Sequence, residues 1–298
     1  MTREDKLLAR ILFKNKIHES HGEAFEGIFT KIMSYKEPTF RQIRPWGRCG
    51  DRKNDGYIPE KGIYYQVYAP IEPTTKYNEA LKKAKEDFEG LIKKWDNVLE
   101  YYFVFNDKYN NAPAIMYDEL DEIKTKYDLE NTDIILAKHL EDILFSLDDD
   151  KIMDIIGFLP SNIEEINLDF SILHEVVEYI MKKSSSNKEI IDYPDWNEKI
   201  AFNELENTIA HKYLEAGLLN IDEVENYLIN NSTFSSEEIR NKLNQIYLEL
   251  KKHYKGEELF MAIIEAILPR GDVRYFSAIF AIMSKYFSTC DIFENPKR

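Results

Sequence analysis

The chain has 298 residues, of which 44% are hydrophobic and 31% are charged, so it is long enough for one large or two ordinary folded domains and is not of disordered composition. It contains no apolar run of the roughly 20 residues that a membrane-spanning helix needs, and its first residues lack the apolar core of a signal peptide. The net charge of -15 disfavours nucleic-acid binding over the whole surface, because such binding neutralises phosphates, and we expect any such contact to be local or made with a partner.

The N-terminal part alternates between helical and strand patterns. Apolar residues at helical spacing predict a helix over residues 4–35, broken near 19–22. A short strand is predicted over 40–44, and an aromatic strand over 63–69 carries a single polar residue, Gln66. The following elements are a helix that is capped by Thr74 or Thr75 and runs to about Trp95, a strand over 99–106, a helix over 114–127, a strand over 133–136 and a helix through Leu147. This order predicts an α/β domain with a central sheet over residues 1–158.

The strand patterns end near residue 159, and only helical patterns follow. Caps and breakers such as Pro194, Gly217 and Gly256 divide this part of the chain. Helices are predicted over 170–183, 197–217, 221–230, 236–254, 257–268 and 272–288. We therefore predict a second, all-α domain over residues 159–298.

A basic segment with two glycines includes the first predicted strand and the residues that follow it. Residues 36–53 hold six basic side chains against two acidic ones, although the chain as a whole is acidic. Lysine and arginine at such a density are typical of a surface that faces phosphate. The predicted nucleic-acid-binding residues are Arg44, Arg48, Arg52 and Lys53.

Three oxygen-bearing side chains surround this segment in the sequence: Glu26, Asp55 and Gln66. Taken singly, Glu26 is interpreted as a solvated helix residue, Asp55 as a turn residue before Gly56, and Gln66 as an amide on a sheet face. Taken together, a helix carboxylate with a carboxylate and an amide from adjacent strands is a ligand set that Mg²⁺ accepts. Such an ion lowers the pKa of a bound water and stabilises charge on a phosphodiester.

Other kinds of site have weaker support. No segment has the spacing of a phosphate-binding loop, which disfavours nucleotide binding. His18 and His21 could share a metal but lack a nearby third ligand of the usual kind. Cys49 lies among arginines that would favour its thiolate, without a histidine partner that the sequence nominates. Cys49 and Cys290 are far apart and read as free thiols, so we expect a cytoplasmic protein.

The order of the motifs resembles the Mrr-like branch of the restriction-endonuclease-like (PD-(D/E)xK) nucleases. Residues 22–26 match a helix motif G-x-x-F-E, and residues 50–56 are close to G-D-x-G-x-D with one residue more between the aspartates. Residues 66–68 match a strand motif Q-x-K except at the last position. The resemblance covers about residues 10–147 and implies an endodeoxyribonuclease that depends on Mg²⁺ or Mn²⁺, with Asp55, Gln66 and Glu26 as metal ligands.

The lysine of that family, which positions or activates the attacking water, corresponds to Tyr68 in this chain. A phenol carries no positive charge at neutral pH. We expect a lysine of the following helix to take over the catalytic role, with Lys82 and Lys85 as candidates. Otherwise the domain binds nucleic acid without cutting it.

The C-terminal residues 283–298 resemble the end of effector components of bacterial ABC three-component conflict systems, which include the Lamassu and Menshen anti-phage operons. In these systems, a nuclease or other toxic domain is fused to a helical module that docks on an SMC-like ATPase and a third accessory subunit. The resemblance implies a DNA endonuclease effector that is activated by assembly, with self-association as one route. The alternatives are a catalytically degenerate subunit that binds nucleic acid or acts as a scaffold, and, for residues 283–298 alone, an ordinary helix core.

Overall fold

The computed structural model describes residues 1–43, 53–157, 168–183, 195–230, 235–289 and 291–296. The chain divides into two compact units, one of residues 16–157 and one of residues 158–298 together with 1–15. The predicted fold class is confirmed, because the N-terminal part has mixed α/β structure and the C-terminal part is helical. The proposed domain limits of 1–158 and 159–298 stay a prediction. None of the described helices is long and apolar enough to cross a membrane.

The N-terminal unit is built on a five-stranded sheet with the strand order β1-β2-β3-β4-β5. The first three strands pair antiparallel, and β3, β4 and β5 pair parallel, with helices as crossovers. The elements are α1 (Arg3–Glu19), α2 (Glu23–Lys36), β1 (Arg41–Gln42), β2 (Gly56–Ile58), β3 (Ile63–Tyr68), α3 (Tyr77–Leu91), β4 (Glu100–Phe105), α4 (Ala114–Tyr127), β5 (Asn131–Ile135), α5 (Ala137–Leu144) and α6 (Asp149–Ile156). Helix α1 contributes residues to both units.

The central strand β3 separates two apolar layers. Tyr65 packs against Phe29 of α2 and against Phe40, with ring centroids 5.5 and 5.9 Å away. Tyr64 and Tyr68 pack on the opposite side, in a cluster that includes buried residues of α3 and α4. The alternation predicted for this strand is therefore confirmed, and Gln66 shares the face of Tyr64 and Tyr68.

The predicted limits of some helices and strands were wrong. The limits of strand β2 were not predicted, because it is three residues long and follows turn-forming residues. The N-cap of helix α3 is Lys76 and not Thr74 or Thr75, since Pro73–Thr75 forms a short 3₁₀ turn, and the helix ends at Leu91 and not at Trp95. The predicted helix over 197–217 is two helices, because Glu204 and Asn207 adopt left-handed backbone conformations between them.

Gly56 is required by the close approach of an aromatic ring. A Cβ atom at this position would lie 2.3 Å from Cζ of Phe40. We expect Gly56→Ala to lower the free energy of unfolding by about 1–3 kcal/mol through overpacking, measured by thermal or urea unfolding. Gly27→Ala is the matched control, because a Cβ there meets no atom within 4 Å. Equal stabilities of the Gly56→Ala protein and the wild type would contradict this packing.

The C-terminal unit is organised around its last helix. The helices are α7 (Phe170–Met181), α8 (Trp196–Phe202), α9 (Ile209–Leu218), α10 (Ile221–Asn230), α11 (Ser236–Leu250), α12 (Gly256–Ile267) and α13 (Tyr275–Ser288). In α13, every residue from Tyr275 to Phe287 is buried, as expected of a helix that is apolar on all sides. Helix α9 approaches it closely at Gly217, where a Cβ would lie 2.2 Å from the Phe280 carbonyl oxygen.

Candidate active site on the N-terminal sheet

Asp55 and Gln66, which the sequence predicts as metal ligands, are in direct contact. Asp55 directly precedes β2, and its backbone N–H donates to the Tyr65 carbonyl on β3 at 2.9 Å. Its carboxylate Oδ2 accepts hydrogen bonds from Gln66 Nε2 at 2.8 Å and from the Val67 backbone N–H at 2.6 Å. Asp55 is buried and Gln66 is 3% exposed, so this contact is shielded from bulk water. These donors fix the orientation of the carboxylate.

Two amide side chains beside this contact have unsatisfied atoms. Within the described part of the chain, Gln66 Oε1 and both side-chain polar atoms of Asn54 are buried without a hydrogen-bond partner. The Gln66 amide cannot turn to satisfy its oxygen, because that oxygen would then face the Asp55 carboxylate. An unsatisfied buried polar group costs about 1–3 kcal/mol, and folded proteins rarely keep one without a reason. An acceptor oxygen held beside a carboxylate is suited to binding a cation.

The donor chemistry fits Mg²⁺ or Mn²⁺. These ions prefer oxygen ligands, and Mg²⁺ commonly takes one or two carboxylates, several waters and substrate phosphates. Asp55 supplies a carboxylate, and Gln66 supplies a neutral oxygen. Across the described ranges, no group of three or more His, Cys, Asp or Glu side chains is arranged to hold a metal. Binding would therefore depend on the amide oxygen and on ligands from water or substrate.

Glu26, the third predicted ligand, lies in the first turn of α2 and is half-buried. Helix α2 begins beside the end of β3, because the Gly22 N–H donates to the Ala69 carbonyl at 2.9 Å. The body of α2 covers the face of β3 that carries Tyr65, opposite to the face of Gln66. Glu26 would therefore join the other two ligands only at the end of the strand, and its role stays a prediction.

Tyr68 occupies the position of the family lysine on the same strand face as Gln66. Its ring stacks on Phe103 and Phe105, with centroids 6.3 and 6.2 Å away. Burial raises the pKa of the Tyr68 phenol above its ordinary value, and Glu79 raises it further. The side chain is therefore neutral at physiological pH and does not supply the charge of a lysine.

Lys83 of α3 supplies a positive charge near this position. The ammonium groups of Lys76 and Lys83 oppose the rise in the pKa of the Tyr68 phenol. Lys83 Nζ also donates to Asp87 Oδ2 at 2.6 Å, one turn further along the helix. A lysine from the helix after the strand was expected, and Lys83 lies within α3, whereas Lys76 is its N-cap residue.

The lysines predicted from the sequence, Lys82 and Lys85, lie on other faces of α3. The Lys82 side chain is 74% exposed and pairs with Glu86 at 3.7 Å. Lys85 is also exposed and pairs with Glu119 of α4 at 3.4 Å. The catalytic role of Lys82 and Lys85 stays a prediction.

Asp87 connects α3 to the basic segment. Its side chain is 6% exposed, and its Oδ1 accepts a hydrogen bond from Lys53 Nζ at 2.7 Å while Lys83 binds the other oxygen. Burial raises the pKa of the Tyr101 phenol well above its ordinary value, and the carboxylates of Asp87 and Asp55 raise it further. Both carboxylates therefore act on the same buried side chain. Of the predicted nucleic-acid-binding residues, Lys53 is described, and Arg44, Arg48 and Arg52 lie outside the described residues.

Three residues of this site were not among the predicted ones: Asn54, Lys83 and Asp87. The buried positions of α3 are Ala80, Ala84, Asp87, Phe88 and Leu91. A carboxylate within an apolar stripe is a signal that the sequence contained, and Lys83 precedes it by one helical turn. No comparable signal marks Asn54, since Asn-Asp-Gly is also an ordinary turn sequence.

Comparison with known protein families finds a match for the C-terminal helices. Residues 171–294 match the family model described as C-terminal domain 10 of the ABC-three component (ABC-3C) systems. No curated protein and no solved structure matches the chain significantly. The resemblance of the C-terminal module to ABC three-component systems is thus confirmed, whereas the nuclease resemblance of residues 10–147 stays a prediction. The helical segment over residues 171–294 belongs to the C-terminal domains of the ABC-three component systems.

Proposed function

We propose that the N-terminal unit is a metal-dependent DNA endonuclease and that the chain is an effector subunit of an anti-phage ABC-three component complex. The observation that carries the nuclease assignment is the buried Asp55–Gln66 contact with its unsatisfied amide oxygen. The order of elements around it, α2, three antiparallel strands, α3 and β4, agrees with the motif order of the Mrr-like nucleases.

The residues of the site have separable roles in this proposal. Asp55 and Gln66 would hold Mg²⁺ or Mn²⁺, with Glu26 as a further ligand. When bound, the ion lowers the pKa of a water and stabilises the charge of a phosphodiester under attack. Lys83 stabilises negative charge on the non-bridging phosphate oxygens, as a lysine at position 68 would. The aromatic ring of Tyr68 limits access of water to the strand face.

The C-terminal domain supports the proposed partners. A domain of the ABC-three component systems is expected to contact other subunits, and we propose an SMC-like ATPase and a third accessory subunit. The net charge of -15 disfavours unassisted binding to DNA, which supports activation by assembly in the cytoplasm, with self-association as one form of it.

The test of this function compares the chain alone with the assembled complex. We expect plasmid DNA to be cleaved by the complex with Mg²⁺ or Mn²⁺ and to remain intact with EDTA. Because Asp55 and Gln66 are proposed as ligands, Mn²⁺ should also raise the melting temperature of the chain alone. Absence of both cleavage by the complex and a metal-dependent thermal shift would reject the nuclease assignment.

A second candidate function is a nuclease-like subunit that binds nucleic acid or acts as a scaffold without cutting it. The observation that favours it is Tyr68, which stands in place of the lysine and is neutral. DNA binding by the complex without cleavage under any metal condition would favour this second candidate over the first.

A further inference from the structure

Asn54 is a fully buried residue whose amide has no partner. Within the described residues, neither its Oδ1 acceptor nor its Nδ2 donor makes a hydrogen bond. Folded proteins rarely leave one buried polar atom unsatisfied, and here two atoms of opposite polarity are unsatisfied in one side chain. The motif G-D-x-G-x-D does not specify the residue before its second aspartate, so the nuclease resemblance assigns no role to Asn54.

The turn that contains Asn54 presents Asp55 to the sheet. The Asp55 N–H donates to the Tyr65 carbonyl at 2.9 Å, whereas the next donor on the same edge of β3, the Val67 N–H, binds the Asp55 carboxylate at 2.6 Å. The carboxylate therefore stands where a backbone carbonyl would continue the ladder. Lys53, on the other side of Asn54, has a φ of 69°, a left-handed conformation that ends the extended backbone. Asn54 is thus part of the buried turn that orients the Asp55 carboxylate.

The unsatisfied atoms around Asp55 differ in the ligand that they accept. Gln66 Oε1 is an acceptor held near the Asp55 carboxylate by the 2.8 Å bond from Gln66 Nε2. A cation binds an acceptor oxygen but not an amide N–H, so an ion alone would satisfy Gln66 and leave Asn54 Nδ2 without a partner. A water molecule both donates and accepts, and Mg²⁺ usually keeps several waters in protein sites. The two amides together therefore match a hydrated ion.

We propose that Asn54 is a positioning residue of the candidate cation site and that its amide holds a water molecule in the hydration shell of Mg²⁺ or Mn²⁺. This inference rests on the proposed nuclease function, because that function supplies the ion. Asn54 contacts the water and not the ion or the DNA. Loss of such an outer partner lowers metal affinity by about tenfold to a hundredfold.

The decisive variant is Asn54→Leu, because it keeps a similar volume and has no polar side-chain atom. If the Asn54 amide only stabilises the turn, its removal lowers the melting temperature of the metal-free protein and leaves the Kd for Mn²⁺ unchanged. If the amide holds a water of the ion, we expect the Kd for Mn²⁺ to rise about tenfold to a hundredfold. The melting temperature in EDTA should then be unchanged or higher, because the side chain gives up no bond within the protein. The Kd is measured by isothermal titration calorimetry with the full chain and without DNA.

Ser277→Ala is the matched control, because it also removes a buried polar atom that lacks a partner. Ser277 lies on α13 in the C-terminal unit, and its Oγ makes no hydrogen bond within the described ranges. We expect the Ser277→Ala protein to bind Mn²⁺ with the wild-type Kd. An equal rise in the Kd of both variants would reject the inference, since the effect would not be specific to Asn54.

A second variant, Asn54→Asp, tests the same position with the opposite expected result. A carboxylate at this buried position destabilises the metal-free protein unless a cation lies close to it. We therefore expect a lower melting temperature in EDTA and a larger rise on addition of Mn²⁺ than in the wild type. This variant decides the question where the Asn54→Leu protein does not fold. A Mn²⁺-induced rise no larger than that of the wild type rejects the inference.

The outcomes separate this inference from the function on which it rests. Wild-type Mn²⁺ binding with an unchanged Kd for the Asn54→Leu protein rejects the role of Asn54 and leaves the nuclease proposal standing. Absence of Mn²⁺ binding by the wild-type chain also rejects that role, and cleavage by the complex then decides the nuclease proposal by itself. A raised Kd for Asn54→Leu with a larger Mn²⁺ response for Asn54→Asp supports the role of Asn54.

Discussion

Replacement of Asp55 by asparagine is expected to abolish metal-dependent DNA cleavage while the protein stays folded. A metal ion contributes several kcal/mol to such a reaction, so the loss should reach about a thousandfold or more. The substitution preserves shape, and the new amide oxygen can still accept the hydrogen bond from the Val67 N–H. Initial cleavage rates at saturating Mn²⁺, with melting curves of the same samples, measure both effects.

Asp55→Ala is a less informative variant, although it is expected to be inactive too. It leaves the Val67 N–H and the Gln66 amide buried without their acceptor, at about 1–3 kcal/mol each. Lost activity would then be inseparable from lost stability. Asp121→Asn, at an exposed position of α4, is the control for the change in charge. A folded Asp55→Asn protein that cleaves DNA at the wild-type rate would rule out this site as the nuclease centre.

The sequence predicted that Asp55 and Gln66 lie close together, and the structure places the two side chains in contact. Alternation in β3 assigns Gln66 to a face, and a carboxylate near the start of the neighbouring strand falls beside it. The position of Glu26 depends instead on where α2 meets the sheet, which the Gly22–Ala69 hydrogen bond determines. Helical spacing within α2 contains no information about that contact.

Tertiary contacts decided the elements that sequence patterns missed. Strand β2 exists because Gly56, Tyr57 and Ile58 pair with β3, and Gly56 and Tyr57 also pair with β1, although three residues have little strand preference of their own. The break between α8 and α9 depends on left-handed residues that are not glycine, at Glu204 and Asn207. Thr208 caps α9, because its hydroxyl accepts a hydrogen bond from the His211 N–H.

Replacement of Lys83 by glutamine is expected to slow cleavage by about a hundredfold to a thousandfold, the usual cost of one group that stabilises charge in the transition state. The effect should fall on the single-turnover rate at saturating enzyme, and it should persist where binding is complete. Lys126→Gln controls for the charge, because Lys126 is exposed and pairs with Glu89. Wild-type rates for the Lys83→Gln protein would leave the site without its proposed cation.

A compensating variant tests whether α3 has taken over the task of the strand lysine. Tyr68 shares the face of Gln66, so Tyr68→Lys would return an ammonium group to the family position. In the Lys83→Gln background, we expect this change to restore about tenfold of the lost rate, with incomplete recovery because the rings of Phe103 and Phe105 lose a stacking partner. Thr125→Lys in the same background adds equal charge on α4 and should restore nothing. Equal recovery by the Tyr68→Lys and Thr125→Lys variants would mean that Lys83 acts through net charge. Recovery by Tyr68→Lys alone would mean that the reaction needs one lysine beside Gln66, whichever element carries it.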